Sequence, residues 1–244
     1  MVFEFFPYGI PSYVFSPKWF YGFDSIIDFI AIVVSILLVY YSYKCFRLTK
    51  ENKYLYFSIA FLSITLGFIS KIIGTLVIYR PTIQHTPIGL MISETIPSIT
   101  AYGINAIALI LNFFFTMLGF MILFLIISRL SWKNVRVLVL LAYFLLISTW
   151  FSIVHYQIFY MTSIVLVFLI TYSYYNNHKE IKSENSKFVF IAFSIILVSQ
   201  VFFVFVVYSY TIYVLAELIQ LLGFVYLLIP FILIFKKKPK KLVK

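Results

Sequence analysis

Of the 244 residues, 63% are hydrophobic and only 11% are charged, with a mean hydropathy of +1.04. Soluble domains carry about 25% charged residues around one compact core. This chain has too little polar surface to cover itself in water, which excludes a soluble globular protein and points to an integral membrane protein. The net charge of +11 calls for no nucleic acid, because its distribution along the chain accounts for it.

Residues 1–23, MVFEFFPYGIPSYVFSPKWFYGF, lack a basic n-region and a small-residue cleavage site and are broken by three prolines. Their Tyr, Trp and Phe content fits a segment lying at the membrane–water interface. Beyond it, the ruler of about 20 apolar residues per crossing marks seven spans, roughly 24–46, 54–79, 101–129, 135–153, 156–175, 187–209 and 211–235. The connections are short except for residues 80–100, whose IGLMISETI stretch is expected to form a short amphipathic helical turn over the outer end. Residues 236–244 form a basic tail. The expected fold is an all-α, seven-transmembrane-helix bundle in a single transmembrane domain, residues 1–244.

Charge sets an expected orientation. The segments KCFRLTKENK, RLSWKNVR, NNHKEIKSENSK and KKKPKKLVK hold 16 of the 19 Lys and Arg residues, all on one side of the bundle. The positive-inside rule makes that side cytoplasmic and puts the N-terminus outside, a multi-pass arrangement in the cell membrane. The basic rim would meet anionic lipid headgroups.

The chain also echoes itself. YSYKCFRLTKENKYLYFSIAFLSI (41–64) resembles YSYYNNHKEIKSENSKFVFIAFSI (172–195), and MLGF (117–120) resembles LLGF (221–224). Both halves start outside, so helices one to three would repeat as helices five to seven in parallel, with helix four as linker.

Polar side chains inside a span are expensive and face the bundle interior or a cavity. At about 1.5 Å of rise per residue, Lys71, Glu217 and Gln200 fall in the outer half. Asn112 and Gln220 lie near the midplane, and Asn105 and His155 nearer the outer surface. An unpaired charge at such depth costs several kcal/mol, so Lys71 is expected to turn inward and pair with Glu217, read as the only acid deep enough, with Asp24 and Asp28 at the rim. Gly67 and Gly74, four before and three after Lys71, allow another helix to approach that face closely.

Seven spans with an outside N-terminus match the topology of microbial rhodopsins and G-protein-coupled receptors. However, the last span carries no lysine for a Schiff base, and ISRLSW ends the third where those receptors carry Asp-Arg-Tyr. Sugar transporters of the SWEET type share the three-one-three arrangement, yet the chain has no Pro-Gln dipeptide. No histidines are spaced three or four apart for a metal or haem, and no cofactor is expected. There is no Gly-rich phosphate loop. The residues therefore point to a non-enzymatic membrane protein with an outward polar pocket, a sensor for a small ligand that acts through a cytoplasmic or membrane partner. The alternatives are a transporter or channel subunit using Lys71 and Glu217, and a structural subunit of a membrane complex.

Overall fold

The computed structural model describes residues 16–20, 22–78, 82–86, 89–93, 99–128, 135–152, 155–181 and 184–236. Most of the interfacial segment 1–23 and nearly all of the basic tail 236–244 lie outside the described residues. Seven helices dominate: α1 (Phe23–Thr49), α2 (Asn52–Ile78), α3 (Ile99–Ile127), α4 (Val135–Ser152), α5 (Tyr156–Ile181), α6 (Glu184–Val204) and α7 (Tyr210–Lys236). A short 3-10 turn, Phe205–Val207, extends α6. Each of the seven is long and apolar enough to cross a membrane. The chain is thus a helical protein with seven membrane-type spans.

The spans exist for the reason composition implied. In hydrocarbon every backbone N–H and C=O must be satisfied within its own segment, and a helix does this. Their ends follow local chemistry. Asp24 Oδ1 accepts the N–H groups of Gly22 (3.1 Å) and Ser25 (2.7 Å) at the start of α1, where the helix dipole favours a negative charge. At the other end Lys50 adopts a left-handed φ of 58° and its N–H donates to the Phe46 carbonyl at 2.8 Å, so the chain turns at once into α2. Pro230 lies within α7, which continues past it to Lys236.

The connection between α2 and α3 departs from expectation. Thr82–Thr86 (β1) pairs antiparallel with Gly89–Ser93 (β2), Thr86 opposite Gly89. Gly-Leu-Met-Ile-Ser is therefore a strand and not a helical turn. Thr82, Ile83, Thr86 and Ile92 are β-branched and stiff at χ1, which favours the pleated conformation, and Pro87 resists incorporation into a helix.

Neighbour relations are regular. α1 packs on α2, α2 on α3, α5 on α6 and α6 on α7; two seams, α1 against α7 and α3 against α5, close the ring. α4 packs on α3 and α5 from outside. Its apolar stretch is 22% buried, against 39–44% for the other six. Phenylalanines fill the middle. Phe61, Phe120, Phe193 and Phe224 are fully buried, and Phe224 sits edge-on to Phe61 at 6.5 Å and to Phe68 at 5.5 Å. A smaller apolar cluster of Phe203, Val206, Tyr213 and Ala216 sits where α6 ends and α7 begins. The polar site lies beside that cluster.

Candidate functional site

Three helices bring charge together at the α1–α7 seam. Lys71 of α2 donates to Asp28 Oδ1 of α1 at 3.0 Å and to Glu217 Oε1 of α7 in a shorter contact. Both carboxylates are 2% exposed and the lysine side chain 15%. The Lys71 ammonium also lies 5.6 Å from the centre of the Tyr213 ring, within range of a cation–π attraction.

The expected Lys71–Glu217 pair is present, but the reading of Glu217 as the only acid in reach is corrected. Asp28 is buried to 1% exposure and shares the ammonium. Asp28 lies five residues past the start of α1, and Lys71 seven residues before the end of α2, depths of about 8 and 10 Å. A lysine stem spans that small difference by reaching toward the nearer interface. A depth ruler applied to backbone positions misses this. The signal available in the sequence was the four-residue spacing of Asp24 and Asp28, which puts both acids on one helix face.

Local sequence explains how α2 can present its lysine here. A methyl added at Gly67 would lie 3.2 Å from the Asn112 carbonyl oxygen, and one at Gly74 2.9 Å from Ala108 Cβ. α3 therefore presses against both glycines, and Lys71 between them extends toward the seam. Ser63 Oγ ties the same two helices by donating to the Phe115 carbonyl at 2.8 Å.

The remaining polar residues divide. Asn105 and Asn112 are buried against α2 at Gly74 and Gly67, and Asn112 Oδ1 accepts from Thr116 Oγ1 at 3.3 Å. Gln220 is buried one helical turn beyond Glu217, and Gln200 is buried on α6. Asn105 Nδ2 and Gln200 Oε1 have no hydrogen-bond partner among the described residues. Buried polar atoms of that kind are uncommon in folded proteins. His155 is exposed where α5 begins.

Aromatic rings continue from the triad toward the opposite seam. Tyr213 lies 5.8 Å from Phe203, Phe203 stacks on Tyr160 at 4.7 Å, and Tyr160 meets Phe113 edge-on at 6.5 Å. Chemically, the α1–α7 seam holds two carboxyl groups and one ammonium in apolar surroundings. With both acids ionised it is short of one positive charge, and isolated excess charge is costly in such a medium. Searches of family models, of curated proteins and of solved structures find no match to this chain.

Proposed function

We propose that this is a non-enzymatic sensor-like protein of the cell membrane that binds a small cationic ligand from the outer side at Asp28, Lys71 and Glu217. The observation that carries the reading is the triad's composition: two acids share one base across a seam between helices. A cation arriving from outside supplies that missing charge, shares the carboxylates with the Lys71 ammonium and loosens its tie to Asp28 and Glu217. The basic loops lie on the cytoplasmic side by the positive-inside rule, face anionic headgroups there, and leave the output to a partner chain.

Thermal melts of the protein in lipid nanodiscs test this across sodium, methylammonium and choline chloride, with N-methylglucamine holding ionic strength constant. A ligand at one hundred times its Kd stabilises by about 2.7 kcal/mol, a shift of several degrees in a protein this size. The shift is expected to vanish in D28N/E217Q. If no cation moves the wild-type midpoint, the reading fails.

A secondary transporter is the second reading. It is favoured by the matching neighbour relations of helices α1–α3 and α5–α7, the arrangement expected of a parallel repeat with α4 as linker. Transport requires a polar path to the basic side, where phenylalanines now pack. Radiolabelled methylammonium uptake into proteoliposomes, lost in Lys71→Met, would establish transport and displace the sensor.

A further inference from the structure

Helices α1 and α2 keep one spacing to α5 and α6. Ala60, Phe61 and Ile64 of α2 recur as Ala192, Phe193 and Ile196 of α6, 132 residues on (60 to 192), and all six are buried. The same spacing carries buried Ala31, Ser35 and Leu38 of α1 onto buried Ser163, Val167 and Ile170 of α5. It therefore replaces the one-residue shift that aligning the two Tyr-Ser-Tyr runs demands. Gly119 and Phe120 of α3 recur as Gly223 and Phe224 of α7 at a spacing of 104 (119 to 223).

Contacts repeat as well as residues. A methyl added at Gly119 would lie 2.5 Å from Ile64 Cγ1 and 2.8 Å from the Ala60 carbonyl oxygen. One added at Gly223 would lie 2.6 Å from Ile196 Cγ1 and 3.3 Å from the Ala192 carbonyl oxygen. Each glycine thus meets the counterpart of the residues that the other meets. The two seams exchange in the same way, α1 against α7 corresponding to α5 against α3.

We infer that the charged triad occupies positions that the other half fills with aromatic rings, so that the frame packs without charge there and the triad is present for binding. At these spacings Asp28 corresponds to Tyr160, Lys71 to Phe203 and Glu217 to Phe113. Phe203 stacks on Tyr160, and Tyr160 meets Phe113 across the α3–α5 seam, as Lys71 joins Asp28 and Glu217 across the α1–α7 seam. One seam is held by ionic contacts that an external cation can share; its counterpart is held by packed aromatic rings that carry no such charge. Ligand binding opens the first and leaves the second as the hinge.

The assignment of the triad to binding rests on the reading above, whereas the positional equivalence stands apart from it. The test is the melting of the full chain in nanodiscs as two triple variants. D28Y/K71F/E217F copies the aromatic seam, and D28N/K71M/E217Q removes charge at nearly constant volume in case the rings overfill the site. At least one is expected to melt at or above the wild type, and either outcome of that kind supports the inference. If both melt below the wild type, the frame needs the charges and the inference is overturned. A folded triple variant together with a wild type insensitive to every cation would defeat the binding reading and leave the equivalence intact.

Discussion

Lys71→Met is expected to lower the thermal midpoint by about 10 °C in nanodiscs. Removing one partner of a buried ionic group costs about 3–5 kcal/mol, because the charge left behind has lost its compensation. For a chain of this length each kcal/mol corresponds to about 2–4 °C. Here two carboxylates are stranded by one substitution, since Asp28 and Glu217 both depend on the same ammonium. Adding Glu217→Gln to Lys71→Met removes one of the stranded acids and should recover about half of the loss. The double-mutant cycle then reads the coupling directly, as residues in one network are not additive. A Lys71→Met protein that melts with the wild type would mean that the ammonium does not hold the seam.

A second large effect concerns the two close helix approaches. Gly119→Ala should destabilise by about 1–3 kcal/mol, the usual cost of overpacking. Its new methyl meets not only the Ile64 side chain, which can turn aside, but the backbone carbonyl of Ala60 at 2.8 Å, which cannot. Gly223→Ala should cost less, since its shortest contact is to the Ile196 side chain at 2.6 Å and the backbone atoms stand at 3.2 and 3.3 Å. Gly103→Ala supplies the opposite sign. Nothing lies within 4 Å of the added methyl there, so the higher helix propensity of alanine should stabilise by about 0.5–1 kcal/mol. Equal effects at all three positions, measured by thermal melting, would mean that α2–α3 and α6–α7 do not approach at these glycines.

Both expectations connect to how the site was legible. The Lys71–Glu217 contact follows from two facts of the sequence: a lone ammonium deep in an apolar span needs an acid, and Glu217 lies at matching depth. Gly67 and Gly74 likewise announced that some helix would approach α2 closely, and the structure makes it α3. Asp28 escaped because depth along a helix was measured at the backbone, whereas the lysine stem decides which acid its charge reaches. The β1–β2 hairpin escaped because a short apolar stretch between prolines carries no helical or strand periodicity long enough to choose between them.

Seven apolar spans were determined by the sequence alone, since hydropathy over about 20 residues is a local property that needs no partner to be read. The similar runs of letters at 41–64 and 172–195 were visible too. Which helices touch was decided only by the tertiary structure: α1 with α7, α3 with α5, and α4 outside them. The reason is that apolar faces in hydrocarbon carry no hydrophobic drive to select a neighbour, so shape and small residues choose. That choice puts two acids on one lysine at the first seam and rings at the other.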